Sequence, residues 1–394
     1  MKKLRTQVGI VGAGPAGLML AHLLHLEGVE SIVLEARSRE YVEGRVRAGV
    51  LEHGTVDLMR QAGVGERLER EALRHDGIEL SFGGRRRRID LRELTGKSIT
   101  VYAQHEVIKD LIAARFSAGG IILFEVEDVA PRGFESESPR LHFKRGGELH
   151  ELVCDFVAGC DGSHGVCRPS IPAGALTHYE RTYPFAWLGI LAEAPPSSGE
   201  LIYTHHEDGF ALFSMRSPQI TRLYLQCEPD EDIELWPDEK IWEELLRRMT
   251  TVDGWAPNVG RVLQKGVTPM RSFVVEPMQH GALFLAGDAA HIVPPTGAKG
   301  MNLAIADSLV LSRGIASFYR SGRRDLLEAY SQTCLRRLWR VQRFSWWMTA
   351  LLHRFDSDNA FDRRRQLAEL DYVTSSRAAM TTLAENYVGL PLEL

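Results

Sequence analysis

A short apolar run, Val8-Gly9-Ile10-Val11, passes directly into Gly12-Ala13-Gly14-Pro15-Ala16-Gly17, and this junction constrains the chain more than any other part of it. The run is of strand type, the three glycines have the spacing of a tight turn, and residues 16–27 have an amphipathic helical pattern. A strand–turn–helix of this kind aims backbone N–H groups and the positive end of a helix dipole at a pyrophosphate. A second apolar run over 31–35 completes a βαβ unit, whose parallel strands require a right-handed crossover. That run ends on Glu35, at roughly the 20-residue offset where an acid takes a ribose hydroxyl in such a unit.

Far downstream, Leu283-Phe284-Leu285-Ala286-Gly287-Asp288-Ala289-Ala290-His291 runs into Pro294-Pro295-Thr296-Gly297-Ala298-Lys299-Gly300. Here too a buried strand ends at a glycine and an acid, with a glycine-rich loop and a helix beyond. One such segment implies a nucleotide; two imply a larger cofactor threaded through a discontinuous domain. FAD fits, because its ribityl chain and isoalloxazine ring need an anchor beyond the pyrophosphate. On this reading Gly12, Gly14, Ala16, Gly17 and Glu35 hold the nucleotide half, and Asp288 takes a ribityl hydroxyl or the pyrophosphate side. Gly297, Gly300 and Met301 belong to the loop and helix start whose N–H groups face the flavin's polar edge.

The rest of the composition excludes other classes. At 394 residues the chain suits two domains plus a tail. A formal net charge of −5 gives no reason to expect nucleic acid or an anionic membrane as partner. Arg85-Arg86-Arg87-Arg88 sits between hairpin-like flanks and reads as a solvated turn and strand edge. Five cysteines with no CxxC pair argue for reduced thiols, without a disulfide frame or metal site. No apolar run approaches the ~20 residues of a membrane span, and Met1-Lys2-Lys3-Leu4-Arg5 leads straight into a strand with no signal peptide, so a cytoplasmic location is expected.

Texture along the chain predicts a mixed α/β (α+β) fold, in which a Rossmann-like FAD-binding domain is interleaved with a β-sheet substrate domain and followed by a helical C-terminal tail. The expected boundaries are 1–76, 103–179 and 274–345 for the FAD-binding parts, 77–102 and 180–273 for the substrate-domain strands, and 346–394 for the helical interface region. In the tail, Leu335, Leu338, Trp339, Phe344, Trp346 and Trp347 are too apolar for a free surface. They are expected to pack on the FAD domain or to form a homodimer seam.

Gly12-x-Gly14-x-x-Gly17, Asp161-Gly162 and Gly287-Asp288 together resemble the three fingerprints of the single-component flavoprotein aromatic hydroxylases. The resemblance covers essentially the whole chain. It includes residues 44–52 (Gly44-Arg45-Val46-Arg47 to Glu52), Arg271-Ser272-Phe273 through Gly281, Arg343-Phe344-Ser345-Trp346-Trp347-Met348 and Glu385-Asn386-Tyr387-Val388-Gly389-Leu390-Pro391. It implies that Arg45, Arg47, Gln104 and Asp288 contact FAD, with Asn302 near the flavin. It further implies a nicotinamide co-substrate bound without a second Rossmann domain, by Arg37, Tyr41, His164, Arg168 and Arg271, with Arg47 also involved. This chain has Glu35-Ala36-Arg37 where well-known members have Glu-Arg-Gln, and Ser163 where an aromatic is common. NADPH and NADH therefore both remain open.

The resemblance also implies a substrate, 4-hydroxybenzoate, which O2 and reduced nicotinamide convert to 3,4-dihydroxybenzoate through a flavin 4a-hydroperoxide, and it favours a homodimer. Such a substrate makes two demands. Its carboxylate needs a cation and neutral donors, which Arg216, Ser214 and Tyr224 can supply, Ser214 and Arg216 having the period-2 spacing of one strand face. Its phenol, with a pKa near ~10, must lose a proton. For this the resemblance implies a relay from Tyr203 to Tyr387 and on through His75 to solvent, with the Pro295 carbonyl nearby.

Overall fold

Val8–Val11 lies inside a parallel sheet, flanked by Phe156–Gly159 on one side and Ser31–Leu34 on the other. The computed structural model describes residues 1–45, 49–136 and 138–393. Among these, the sheet runs in the order Gln279–His280, Leu283–Leu285, Phe156–Gly159, Val8–Val11, Ser31–Leu34, Ile121–Leu123. All neighbours are parallel except the short edge pair Gln279–His280 with Leu283–Leu285. Its central strands are buried along their length, as a parallel sheet covered on both faces requires. The helix Pro15–Leu26 follows the glycine turn. The long helix Gly300–Ser321 packs on it, with the Ser308 hydroxyl donating to the Ala16 carbonyl at 2.8 Å.

A second, eight-stranded sheet holds the long antiparallel pair Thr177–Glu193 and Arg261–Glu276, then Ile220–Cys227, Ala211–Met215, Ile202–Thr204, Gly77–Phe82 and Arg85–Asp90. One face packs on the amphipathic helix Asp238–Met249 through Phe213, Leu223, Trp242 and Leu245. The other, carrying Leu80, Tyr203 and Leu212, packs on the C-terminal helices Tyr330–Leu352, Ala360–Ser375 and Arg377–Val388. The arginine run forms the outer edge strand Arg85–Asp90, and Arg88 pairs with Glu200 (2.7 Å) and Asp90 (2.6 Å). A charged edge of this kind resists further strand pairing. Ile99–Val101, expected among the substrate-domain strands, instead pairs with Val50–Leu51 and Leu73–His75 in a separate three-stranded sheet.

The tail divides the apolar residues noted above. Leu338 and Phe344 are buried, whereas Trp339 and Trp346 remain 42% and 43% exposed. All five cysteines are free and buried. Among the described residues no helix is long and apolar enough to cross a membrane, and no cluster of His, Cys, Asp and Glu could hold a metal.

Between the sheet and the tail sits His353, fully buried and stacked on Phe210 (4.3 Å between centroids) and Phe185 (4.7 Å). Trp187 Nε1–H donates to its Nε2 at 2.7 Å, so the ring proton sits on Nδ1, which faces the Thr349 carbonyl at 3.0 Å. The ring is therefore neutral, and burial pulls its pKa down to about 3. Below pH ~6.5 the unfolded chain takes up a proton that the native state refuses, so this contribution to stability is lost as pH falls, at about 1.4 kcal/mol per pH unit. His353→Gln keeps an acceptor for Trp187 and removes that dependence. Between pH 7 and 5.5 its urea-unfolding free energy should fall by about 1 kcal/mol less than that of the wild type; identical falls would reject the assignment.

Candidate active site

The carboxyl ends of three adjacent parallel strands bring the glycine turn, the Asp161-Gly162 segment and the Gly287-Asp288 turn together. Cys160 N–H bonds the Val11 carbonyl at 2.8 Å, and Ala286 N–H bonds the Gly159 carbonyl at 3.0 Å. Gly12 has φ +103°, and a Cβ there would overlap the Cys160 carbonyl oxygen, so both conformation and space exclude any other residue. Gly287 is wedged between the two helices: an added Cβ would stand 3.1 Å from Ala304 Cβ and 3.4 Å from Ala16 Cβ. Glu35 closes the turn, its Oε2 accepting from Ala13 N–H (2.7 Å) and its Oε1 from Arg37 N–H (2.8 Å).

These features fit FAD. The helix Pro15–Leu26 begins at Gly14 with no side-chain cap, leaving its first N–H groups for an anion, and a Cβ built on Gly14 meets no protein atom within 4 Å. The helix Gly300–Ser321 likewise starts without a side-chain cap, with Met301 in its first turn. Asp288 is exposed beside this opening, Gln104 is half-buried at the start of the helix Gln104–Ser117, and Arg45 is exposed at the end of the helix Arg39–Gly44. Arg47 lies outside the described residues.

The substrate residues expected from the sequence share one sheet face. Strand registers pair Tyr203 with Leu212, Leu212 with Tyr224 and Ser214 with Arg222, and directly paired residues project to the same side. Arg216, two residues beyond Ser214, follows on that side. Its Nη1 bonds the Met215 carbonyl (3.0 Å) and lies 3.4 Å from Ser214 Oγ, and the Tyr224 hydroxyl is also a partner. Its Nε is buried with no hydrogen-bond partner, and no carboxylate pairs with the guanidinium among the described residues. Burial lowers its pKa. A cation taken from water without a counter-ion costs several kcal/mol, a cost that an anionic ligand offsets.

At the other end the Tyr203 and Tyr387 hydroxyls are 2.5 Å apart, both buried. Burial pushes Tyr203 up to about 12, although hydrogen bonds from Tyr387 and the Gly297 backbone pull it down. Burial together with Tyr203 raises Tyr387 well above the usual phenol range. Both therefore hold their protons at neutral pH. The loop meets the pair at Gly297, which has φ +93° and whose Cβ would press the Phe344 ring at 3.1 Å. Pro295 opens this loop, its carbonyl accepting from Ala298 N–H at 2.9 Å.

His75 is placed differently from the expectation of a solvent-side relay end. It is only 1% exposed, its Nε2 faces Met215 Sδ at 3.3 Å, and burial pulls its pKa down to about 4. No hydrogen bond joins it to Tyr387 in this structure; the strand Leu73–His75 carries it to Met215, not to the tyrosine pair.

The residues expected around nicotinamide form two groups. Arg37 and Arg45 flank the exposed Tyr41 ring at 5.3 and 6.0 Å, while the neighbouring Arg39 is neutralised by Glu43 at 2.6 Å. Arg168 and Arg271 flank Phe273 at 4.6 and 5.9 Å, with His164 exposed nearby in the chain. Arg168 also braces the site, donating to the carbonyls of Ala289 and Ser163 at 2.8 Å each.

Sequence reasoning missed a buried charge cluster. Lys299 Nζ bonds Glu52 Oε1 (2.7 Å) and the carbonyls of Asn386 (2.6 Å) and Tyr387 (2.9 Å), and Arg337 holds the other Glu52 oxygen at 2.5 Å. Asn302 joins in, accepting from Glu52 N–H and donating to the Val50 and Ala298 carbonyls, each at 2.9 Å. The one available signal was a lysine inside an otherwise small and apolar glycine loop.

A split parallel sheet with two uncapped helix starts at its carboxyl edge, joined to a sheet that presents a lone arginine and a tyrosine pair, defines a flavoprotein oxidoreductase architecture. A family model described as "FAD binding domain" matches residues 5–345, and the chain belongs to that family. The chain is 49% identical over 395 residues to p-hydroxybenzoate hydroxylase of Acinetobacter baylyi, covering 100% of this chain and 98% of that one. Among solved structures, p-nitrophenol 4-monooxygenase from Pseudomonas putida superposes with a TM-score of 0.84 at 19% identity, covering 99% of this chain and 100% of that one. Aklavinone-11 hydroxylase, solved with FAD and aklavinone, superposes with a TM-score of 0.74 at 22% identity, covering 90% of this chain and 70% of that one. The two structures share the fold; full-length relatedness at 49% identity carries the enzyme class, a flavoprotein aromatic monooxygenase that uses FAD.

Two glycines separate cradle from fold. Gly14→Ala should leave the melting temperature of the flavin-free protein unchanged while weakening FAD binding at least tenfold by fluorescence titration. Gly12→Ala should lower both, because its Cβ overlaps protein backbone.

Proposed function

We propose that this chain hydroxylates 4-hydroxybenzoate at position 3, giving 3,4-dihydroxybenzoate and water from O2 and one equivalent of NADPH or NADH. The observation that carries the reading is the half-buried Arg216, without a carboxylate partner among the described residues, on the same sheet face as Tyr203 and its 2.5 Å bond to Tyr387. An anion at one end and a phenol at the other match that pair of demands. The 49% identity to a p-hydroxybenzoate hydroxylase supports the same substrate.

Arg216 receives the carboxylate, with Ser214 and Tyr224 as neutral donors. That pairing fixes the ring's long axis and delivers the phenol to Tyr203. Because Tyr203 is pushed up to about 12, it is no standing base at neutral pH. It accepts the substrate's phenolic proton while passing its own to Tyr387, and Tyr387 in turn releases its hydroxyl proton to water, so the negative charge stays on the substrate and neither tyrosine is left charged. The resulting phenolate activates the ring carbon ortho to it. FAD, held by the glycine turn, Glu35, Arg45, Gln104, Asp288 and the 295–302 loop, supplies electron transfer from nicotinamide and the activation of O2. The buried walls of Tyr203, Phe210, Trp187 and Tyr387 keep bulk water from the transfer. The Arg37–Tyr41 and Arg168–Arg271 groups are proposed to receive the nicotinamide.

The enzyme is further proposed to be a cytoplasmic homodimer. The exposed Trp339, Trp346, Phe361 and Tyr372 on the tail helices support an association face, and light scattering on the purified protein tests it.

The decisive assay follows NADPH and NADH oxidation with and without 4-hydroxybenzoate and identifies the product by chromatography. Substrate-stimulated oxidation with 3,4-dihydroxybenzoate as product is expected; peroxide as the sole product would defeat the proposal. Arg216→Ala should raise the substrate dissociation constant about 10- to 100-fold, the range of a lost charge-assisted pair. Tyr203→Phe should retain FAD and substrate while losing most hydroxylation, and full turnover would sink the relay.

A further inference from the structure

The Gly287-Asp288 turn is held from below by two residues that the hydroxylation chemistry does not use. Asp307, buried on the helix Gly300–Ser321, accepts with one oxygen from Gly287 N–H at 2.9 Å and from His291 Nε2 at 2.7 Å. The side chains of His291 and Asp307 are 1% and 4% exposed. The carboxylate thus grips the turn at both ends, residue 287 at its start and residue 291 where the chain re-enters a strand opposite Val274. Within the turn, Ala290 N–H returns to the Gly287 carbonyl at 2.8 Å, and Arg168 holds the Ala289 carbonyl. Of these restraints, the Asp307 carboxylate alone ties the turn to the helix whose first residues form the 300–302 end of the flavin cradle.

We propose that Asp307, acting through its shared bonds to Gly287 and His291, is a positioning residue that sets Asp288 against FAD. The inference rests on the reading of Asp288 as a flavin contact. An acid on the helix Gly300–Ser321 fixes a turn on the neighbouring strand, so both halves of the flavin anchor move as one body. Energetics agree with the geometry. Burial by itself would strip His291 of its proton, but the Asp307 and Asp288 carboxylates outweigh it and hold its pKa above the ordinary value. The buried acid thereby has the His291 ring as its hydrogen-bond partner, and the pair resists separation because the Asp307 carboxylate left alone would be an unpaired buried charge. Cys160, Cys334 and Tyr330, the other titratable groups packed near Asp307, keep their protons, since burial raises all three above their ordinary values.

The test titrates FAD into the flavin-free full-length protein by fluorescence, records the visible spectrum of the bound flavin, and melts each flavin-free variant. Asp307→Asn should weaken FAD about tenfold or more and shift the bound-flavin absorption bands, with the flavin-free melting temperature little changed. The double variant Asp307→Asn/His291→Gln should bind FAD no worse than Asp307→Asn alone, because the two residues act as one unit. Should Asp307→Asn fail to fold, His291→Gln, which leaves the Gly287 bond in place, must still weaken FAD severalfold. Wild-type FAD affinity in both single variants, or a lowered melting temperature with unaltered affinity and spectrum, would overturn the proposal. Asp288→Ala separates the two layers. If it weakens FAD and Asp307→Asn does not, the positioning role fails alone; if neither variant weakens FAD, the reading of the turn fails with it.

Discussion

Close approach of backbone at Gly12 and Gly287 is the constraint on which the rest of the molecule depends. With no side chain at Gly12, the Cys160 carbonyl can lie against the first turn; with none at Gly287, the Pro15–Leu26 and Gly300–Ser321 helices can meet across it. Three strands separated by more than a hundred residues of chain thereby end at one place. The resulting opening is lined by uncapped helix starts, which is what a dinucleotide's phosphates require. A methyl group at Gly12 would collide with the Cys160 backbone, and one at Gly287 would press on the Ala304 and Ala16 methyls that pack the two helices together.

The second sheet is coupled to that cradle through a small number of buried polar contacts. Tyr203 reaches across to Tyr387 on the last helix and to the Gly297 backbone in the cofactor loop. Lys299 fixes the Asn386 and Tyr387 carbonyls from the same loop. A displacement of the loop is therefore felt directly by both tyrosines. This places the proposed proton path and the proposed flavin anchor on a shared element, and it ties the C-terminal helices to the loop as well as to the sheet. Losing Glu52 would leave the buried Lys299 and its neighbour Arg337 without their carboxylate, at a cost of about 3–5 kcal/mol, whereas losing Lys299 would leave Glu52 still paired with Arg337.

Much of this was legible beforehand for identifiable reasons. The Val8–Val11, Pro15–Leu26 and Ser31–Leu34 unit follows from local periodicity and glycine spacing, which tertiary context rarely overrides in so regular a motif. Ser214 and Arg216 share a face because strand geometry has a period of two, whatever the sheet's partners. His75 was not legible in the same way. Its strand runs beside Ile99–Val101 in the small sheet, and that pairing, invisible in the sequence, buries it against Met215. Lys299, Glu52, His291 and Asp307 were also hidden, because charged residues 247 and 16 positions apart carry no sequence signal of mutual burial.

By itself the sequence determined the strand–glycine turn–helix unit at Gly12, the second strand ending at Gly287-Asp288 with a glycine-rich loop beyond it, and the alternation that presents Arg216 with Ser214. These are short-range properties, written in spacing and in the backbone freedom of glycine. Only the tertiary structure decided that Arg216 lacks a carboxylate partner among the described residues, that Tyr203 and Tyr387 touch, and that one carboxylate, Asp307, clasps the Gly287–His291 turn. Such contacts join residues distant in the chain. They depend on which strands pair and which faces are buried, and long-range packing alone settles both.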